Sequence, residues 1–267
     1  MNEMITILIV NYNSADFIDL LLYSLKKLTT NPYKIHILDN NSKKSDYKKL
    51  EKIIKKFTGI EAKLERSTLN LTGSMAHGTA LNQITKNIET PYFVIVDPDA
   101  TWLKKGWDEI LLNELNEKVK AIGTQADNPD KPMDFPLVFA TLFETETFKK
   151  LDVDMRPQNL TKKQDVGFLL RETYLVHGFE GRIIESKNTR LWKSGPFNSV
   201  IGTTEYYFNH DYKNIFAAHF GRGSNPFGKK MHKTKIPILR TIINYYDWKM
   251  SKKRWINICK EIVANQK

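Results

Sequence analysis

The chain has 267 residues, of which 41% are hydrophobic and 27% are charged, and this composition indicates a water-soluble globular protein large enough for a sizeable core. Its only cysteine, Cys259, excludes an intramolecular disulfide and a cysteine-based metal site. The net charge of +11 is uneven, because residues 225–267 contain 11 Lys or Arg and two acids and carry +9, which leaves +2 for residues 1–224.

The first 57 residues alternate between predicted strands and predicted helices. Residues 5–10 and 34–38 are rich in β-branched side chains, whereas apolar residues recur at helical spacing in 17–28 and 47–57. This alternation predicts an α/β fold with a parallel sheet and right-handed crossovers.

Polar residues follow each of these strands, at 11–14 and at 39–42. Ligands bind at the carboxyl ends of the strands in open α/β sheets, so both segments are candidate ligand-binding loops. The alternatives are that Asp39 caps the next helix and that Asn11 and Asn13 only form turns.

A loop containing Asn70 and Gly73 leads into a predicted helix of small residues that ends near Asn82. The free N–H groups at the start of such a helix suit an anion. His77 lies in its first turns, either as a ligand-binding side chain or as a packing residue.

A buried strand is predicted at residues 92–96 and must end at Pro98, which cannot donate to a sheet. Asp97 and Asp99 flank this proline at the strand's carboxyl end. Two adjacent carboxylates repel each other, and a hard divalent cation with a diphosphate would relieve the repulsion. The alternative is a simple Asp-Pro-Asp turn.

The second half is predicted to contain further short elements, with a loop at residues 124–134. A helix is predicted to open at residue 163, with Asp165 in its first turn, where an acid is favoured. Helices are also expected at 103–115 and 144–151, and strands at 120–124, 135–143 and 215–219.

The strand that contains His219 runs into a glycine-rich loop that contains Arg222. A neutral imidazole suits Mn²⁺ and a guanidinium suits a phosphate, although a histidine can also be satisfied within a sheet. His210 and Asp211 are an alternative source of a ligand.

The basic tail, residues 225–267, includes a predicted helix at 239–263 in which tryptophans alternate with Lys and Arg. This pattern is typical of a helix on an anionic membrane surface. The alternatives are a helix packed on the body and a nucleic-acid-binding patch.

The segments Val-Asn-Tyr-Asn-Ser, Asp-Asn-Asn-Ser, Asn70 to Gly73 and Val-Asp-Pro-Asp follow one another in an order that resembles the GT-A glycosyltransferases of the family-2 type. The resemblance covers about the first 110 residues. It implies a Rossmann-like mixed, mainly parallel sheet flanked by helices. It also implies a catalytic domain at 1–224, divided into a nucleotide-sugar half (1–101) and an acceptor half (102–224), followed by the tail.

The resemblance further implies an inverting transferase that uses Mn²⁺ or Mg²⁺. A sugar would move from a nucleotide-diphosphate sugar, UDP being the commonest carrier, to a hydroxyl of a glycan or lipid-linked acceptor in surface polysaccharide synthesis. Asp165 would be the catalytic base, with Asp152 and Asp154 as competitors, and Asp97, Asp99 and His219 would bind the metal. The nucleotide-sugar ligands implied are Val10, Asn11, Tyr12, Asn13, Asp39, Asn70, Gly73, His77, Asp97 and Arg222.

Two other functions fit parts of the chain. A nucleotidyltransferase would ordinarily have a glycine-rich, basic phosphate loop near its start, and residues 10–14 contain neither glycine nor a basic residue. A non-catalytic protein could use the tail on nucleic acid, but no nucleic acid partner is expected. The start of the chain lacks the features of a secretory signal, so a cytoplasmic location is expected, peripheral on the membrane if the tail binds lipid. The sequence does not indicate an oligomeric state.

Overall fold

The computed structural model describes residues 3–128, 131–162, 164–223 and 237–266. In these residues the strands form one sheet with the order β3-β2-β1-β4-β7-β6-β8-β9-β10-β5. The strands are β1 (Ile5–Asn11), β2 (Tyr33–Asp39), β3 (Glu61–Arg66), β4 (Tyr92–Ile95), β5 (Ala100–Trp102), β6 (Val119–Thr124), β7 (Thr141–Glu144), β8 (Glu180–Asn188), β9 (Thr204–Tyr207) and β10 (Ile215–His219). The α-helices are α1 (Ala15–Leu28), α2 (Lys44–Lys56), α3 (Gly73–Thr85), α4 (Trp107–Leu112), α5 (Thr145–Leu151), α6 (Leu170–Val176) and α7 (Pro237–Ala264).

The predicted α/β architecture is confirmed. β3, β2, β1 and β4 pair in parallel, as the alternation of strands and helices predicts, and β6 pairs in parallel with β8. The other pairs, including β5 with β10, are antiparallel. The sheet is therefore mixed, and its parallel half brings the carboxyl ends of β1, β2 and β4 to one edge.

Helices cover both faces of the sheet. On one face, α1, α2, α4 and α7 contribute to a core in which Trp102 stacks on Trp107 with ring centroids 4.4 Å apart. On the other face, α3, α5 and α6 pack around Phe93 and Phe143. Burial on both faces explains why β1 is apolar at nearly every position.

Four strands carry too weak a signal to be found from sequence, namely β3, β5, β8 and β9. β3 alternates charged residues with Ala62 and Leu64 at the exposed edge of the sheet, which is typical of an edge strand. β8 contains only two apolar residues, Ile183 and Ile184, and β5 is only three residues long.

Three predicted elements are wrong in their extent. The helix predicted at 103–115 forms only at Trp107–Leu112 and starts after Gly106, which has a left-handed φ of +68°. The strand predicted at 135–143 forms only at Thr141–Glu144, because Pro136 lacks an N–H and Ala140 has a φ of +130°. The helix predicted to open at 163 begins at Leu170, because Gly167 has a left-handed φ of +70° that interrupts a helix. Asp165 therefore lies in a loop, five residues before the helix.

The tail forms α7, and the carboxyl-terminal part of this helix packs on the body, the alternative that the sequence left open. Trp255, Cys259 and Val263 are buried. The Trp255 ring lies 5.7 Å from Phe17 of α1 and 5.9 Å from Phe220. None of the helices in the described ranges has the length and hydropathy needed to span a membrane. The division into domains at 101 and 224 stays a prediction.

Candidate active site

The ends of β1 and β2 form a closed polar network. Asn11 and Asp39 are register partners, and Asn11 Nδ2 donates to Asp39 Oδ1 at 2.8 Å. Both side chains are completely buried, and Arg66 Nε lies 3.5 Å from the second Asp39 oxygen. Asp39 is thus engaged by protein partners and orders the two loops, while the adjacent Tyr12 is about half exposed at the edge.

Residues on both sides of this network hold the loop after β1 in place. The backbone N–H of Asn13 donates to Ser42 Oγ at 2.9 Å, and Asn13 Oδ1 accepts from the Lys43 N–H at 3.0 Å. Asn13 has a φ of +52°, a conformation that asparagine tolerates better than most residues. The loop predicted to bind a nucleoside is therefore built from specific contacts and is more than a generic turn.

Asp97, Asp99 and His219 form a compact cluster. One oxygen from each carboxylate and one imidazole nitrogen all lie within 4.8 Å of one another. His219 Nε2 is 3.3 Å from Asp99 Oδ1, and His77 Nε2 is 3.6 Å from Asp97 Oδ1. The sequence-predicted metal ligands are therefore brought together, with His77 beside them.

The cluster is produced by pairing between distant strands. β4 ends at Ile95, and the Ala100 N–H donates to the Asp97 carbonyl at 3.0 Å, which closes a turn around Pro98. β5 then begins at Ala100, whose register partner in β10 is His219. This pairing places His219 next to Asp99.

The electrostatics of the cluster favour a bound cation. Burial raises the pKa of the Asp97 carboxyl, and the charge of Asp99 raises it further. Burial also disfavours the charged forms of Asp99 and His219. The attraction between the two opposite charges outweighs burial, so the pKa of Asp99 is lowered and the pKa of His219 is raised. Two carboxylates and one imidazole are a donor set that Mn²⁺ accepts, so the residues present fit a divalent metal.

The backbone after β10 lies directly against Asp99. The Phe220 N–H donates to the Asp99 carbonyl at 2.9 Å, and the Gly223 N–H donates to Asp99 Oδ2 at 2.8 Å. A Cβ atom on residue 223 would come within 2.7 Å of Asp99 Cβ, so only glycine fits without displacement. Gly223 is a site residue that the sequence analysis did not single out.

The Arg222 side chain is held by protein partners. Its side chain is 4% exposed, its guanidinium lies 4.8 Å from the centre of the Phe220 ring, and Nη1 is 3.2 Å from Asp247 Oδ2 of α7. The contact of Arg222 with a phosphate stays a prediction, and its ion pair with the tail helix could not be inferred from the local motif.

Asp165 lines a small cavity together with Asp97 of the cluster. His77, Asp97, Lys131 and Asp165 all line this cavity of about 80 Å³. Asp165 is half exposed, accepts a 2.8 Å hydrogen bond from Ser74 Oγ and lies 3.2 Å from Lys131 Nζ. Partial burial raises the Asp165 pKa, but Ser74 and Lys131 lower it more, so the carboxylate is ionised over the neutral pH range.

Asn70 and Gly73 lie just before Ser74, at the start of α3. Asn70 is exposed, and Gly73 begins the helix with a φ of +59°. Val10 is buried in β1. Because Ser74 contacts Asp165, which lines the cavity, the start of α3 lies near the cavity, and anion binding there stays a prediction.

The competing candidates lie elsewhere. Asp152 and Asp154 line a different, larger cavity of about 730 Å³, where Asp154 pairs with Arg156. His210 contacts Glu185, and Asp211 bonds Asn214. Among the described residues, Asp97, Asp99 and His219 are the one group of three or more His, Cys, Asp or Glu side chains placed so that they could hold a metal ion.

The sequence pattern described as Glycosyl transferase family 2 matches residues 6–179. The chain belongs to glycosyl transferase family 2. The family-2 resemblance is therefore confirmed, and membership of this family favours glycosyl transfer over the nucleotidyltransferase and nucleic-acid-binding alternatives.

Similar proteins support the same fold. The processive diacylglycerol beta-glycosyltransferase of Mycoplasma pneumoniae is 30% identical over 99 residues, which are 37% of this chain and 28% of that protein. The mannosyltransferase PcManGT from Pyrobaculum calidifontis, solved in complex with GDP-Man and Mn²⁺, has a TM-score of 0.56 at 14% identity, covering 68% of this chain and 55% of that one. Residues 1–349 of S. aureus TarS give a TM-score of 0.50 at 18% identity, covering 67% and 57%. The structural likenesses establish the GT-A fold, and the chain spans little more than half of these solved structures.

Proposed function

We propose that this family-2 chain is an inverting, metal-dependent glycosyltransferase that uses a nucleotide-diphosphate sugar, with UDP the first candidate carrier. The observation that carries the proposal is that Asp165 lines the same small cavity as Asp97, which clusters with Asp99 and His219. The GDP-Man and Mn²⁺ bound by the Pyrobaculum calidifontis mannosyltransferase support this chemistry.

Asp97, Asp99 and His219 would hold the cation, Mn²⁺ or Mg²⁺. When bound, a divalent ion supplies positive charge that stabilises a leaving diphosphate. His77 Nε2 lies 3.6 Å from Asp97 Oδ1, so His77 would contact the diphosphate held by the cation. The first turn of α3 would add backbone N–H groups.

Asp165 would act as the catalytic base. It is ionised, and Ser74 and Lys131 fix its orientation. It would accept the proton from the acceptor hydroxyl as the hydroxyl oxygen attacks the anomeric carbon from the face opposite the diphosphate, which inverts the configuration.

The loops after β1 and β2 would bind the nucleoside. Tyr12 offers an exposed ring for contact with a base, and the network of Asn11, Asn13 and Asp39 holds that loop in place. Val10 supports it from the core, whereas Asn70 and Gly73 would approach the ribose and diphosphate.

A lipid-linked or glycan acceptor in surface polysaccharide synthesis stays a prediction, as do the cytoplasmic location and peripheral membrane binding. One observation supports a membrane surface: the amino-terminal half of α7 carries an exposed apolar face. Its members are Ile238, Leu239, Ile242, Tyr246 and Met250. Together with the basic charge of the tail, this face suits an anionic bilayer.

The membrane proposal is tested by co-sedimentation with phosphatidylglycerol vesicles. We expect the wild-type chain to bind at low salt, and replacement of Ile238, Leu239 and Ile242 by Ser to weaken binding strongly. Equal binding of this variant and the wild type would show that the apolar face is not the contact.

The donor proposal is tested by a thermal-shift panel of nucleoside diphosphates with and without Mn²⁺. A true donor base at about 100 times its dissociation constant should add about 2.7 kcal/mol to the free energy of unfolding. A panel in which no nucleotide stabilises the chain in the presence of Mn²⁺ would contradict the proposal.

A further inference from the structure

Two residues of α7 hold the backbone segment that follows β10. Trp248 Nε1 donates to the Arg222 carbonyl oxygen at 2.8 Å, and Asp247 Oδ2 accepts from Arg222 Nη1 at 3.2 Å. These contacts fix both the main chain and the side chain of Arg222 from the α7 side.

The same segment forms a wall of the metal cluster on its other side. Phe220 bonds the Asp99 carbonyl, and one residue beyond Arg222 the Gly223 N–H reaches the Asp99 carboxylate. A short, continuous path therefore runs from the Trp248 indole through Arg222 and Gly223 to a metal-ligating side chain.

The side chains along this path are closely packed and have little room to move. The Arg222 side chain is almost completely buried and lies over Phe220. Phe220 is itself fully buried and packs against Phe17 and against Trp255 of α7. A shift of α7 near Trp248 must therefore move the 220–223 backbone, since close-packed interiors transmit displacements.

We propose that Asp247 and Trp248 of the tail helix are positioning residues of the metal site, which hold the 220–223 segment so that Gly223 orients the Asp99 carboxylate. The inference rests on the proposed function in one respect, that Asp97, Asp99 and His219 bind a divalent cation. On this proposal, α7 is a structural part of the metal site.

The coupling is reciprocal, because any element that raises metal affinity must itself be stabilised when the metal binds. Mn²⁺ together with a nucleoside diphosphate should therefore slow hydrogen exchange of the α7 amides around Trp248. For the same reason, a surface that binds the exposed half of α7 would alter the metal affinity.

The test uses two matched substitutions in the same helix of the full chain. Trp248→Phe removes the indole N–H that bonds Arg222. Trp255→Phe keeps an aromatic ring against Phe220 and removes a buried indole N–H that has no partner among the described residues. The dissociation constant for Mn²⁺ in the presence of UDP or GDP is measured by electron paramagnetic resonance of free Mn²⁺, and the melting temperature is measured in parallel.

We expect Trp248→Phe to weaken Mn²⁺ binding about tenfold, as removal of an interaction that orients a metal ligand typically does, and to lower the melting temperature less than Trp255→Phe does. Trp255→Phe should leave Mn²⁺ affinity within about twofold of wild type. If the Mn²⁺ affinities of the two variants fall in the same order as their melting temperatures, the inference is overturned, because both residues would then act only through packing.

Asp247 provides an independent second variant. Asp247→Asn removes the charge that holds the Arg222 guanidinium and should weaken Mn²⁺ binding, whereas Asp247→Glu keeps a carboxylate and should largely restore it. If the wild type, Asp247→Asn and Trp248→Phe bind Mn²⁺ with equal affinity, the inference is overturned while the proposed function stands. A wild-type chain that binds no Mn²⁺ with either nucleotide would instead overturn the proposed function on which the inference rests.

Discussion

The Gly223 N–H donates to Asp99 Oδ2 over 2.8 Å, although the two residues are 124 positions apart in the chain. This contact connects the acidic turn after β4 to the loop after β10. It also explains why residue 223 lacks a side chain, since a Cβ there would collide with Asp99.

Gly223→Ala should therefore damage the cluster selectively. The added methyl group has no room beside Asp99 and must displace the Asp99 side chain or the 220–223 backbone. We expect the affinity for Mn²⁺ to fall at least about tenfold, measured by calorimetry with a nucleoside diphosphate present. Unchanged affinity would mean that the 220–223 segment moves freely relative to Asp99.

Asp165→Asn should abolish transfer and leave donor binding nearly intact. The amide keeps the size of the carboxylate but cannot accept the acceptor's proton, so turnover should drop by about 10²–10⁴-fold. Turnover and the nucleotide dissociation constant should be measured on the same preparation. The control is Asp154→Asn, since Asp154 lines the other cavity and its loss should leave turnover near wild type. Equal loss of binding and turnover in Asp165→Asn would refute the role of a base.

Lys131→Met should move the acidic limb of the pH profile. Lys131 helps to lower the Asp165 pKa, so its removal raises that pKa and the base becomes protonated at a higher pH. The acidic limb of kcat/KM should therefore shift upwards, whereas Lys118→Met, an exposed site outside the cavity, should not shift it. An unmoved limb in Lys131→Met would show that Asp165 does not govern this titration.

Alanine substitutions in the packed half and in the exposed half of α7 should differ in their effect on the free energy of unfolding. Trp255→Ala empties a fully buried position and should cost about 3–5 kcal/mol in the free energy of unfolding. Ile242→Ala lies on the exposed face and should change the same quantity by less than about 0.5 kcal/mol. Urea unfolding measures both, and similar values for the two would contradict the packing of α7 described above.

Local patterns in the sequence were sufficient for β1, β2 and β4, which pair in parallel at the centre of the site's edge. The apolar runs of β1 and β2 and the helical spacing of α1 are strong signals, and their polar ends predicted the correct edge of the sheet. The pairing of β5 with β10 has no comparable local signal, because β5 has only three residues and its partner lies more than a hundred positions away. Asp99 and His219 were predicted separately, but the reason they meet lies in that pairing.

The environment of Asp165 is a second feature that could not be predicted from the sequence. Its role was predicted on the premise of a helix terminus, whereas Gly167 interrupts the helix and the carboxylate is oriented by Ser74 and Lys131. Both partners lie in other segments of the chain and carry no signal that links them to it. The ion pair of Arg222 is also beyond local prediction, because a basic residue in a glycine-rich loop suggests only a phosphate and the paired acid, Asp247, lies in the tail helix.

The most direct test of the metal-dependent site is a comparison of Mn²⁺ binding by the wild-type chain and Asp99→Asn, in the presence of whichever of UDP or GDP stabilises the wild type more. We expect saturable binding of one Mn²⁺ by the wild type and a loss of at least about tenfold in affinity for Asp99→Asn, with the fold retained by circular dichroism. Equal Mn²⁺ affinity of the two chains would contradict the assignment of this cluster as the metal site.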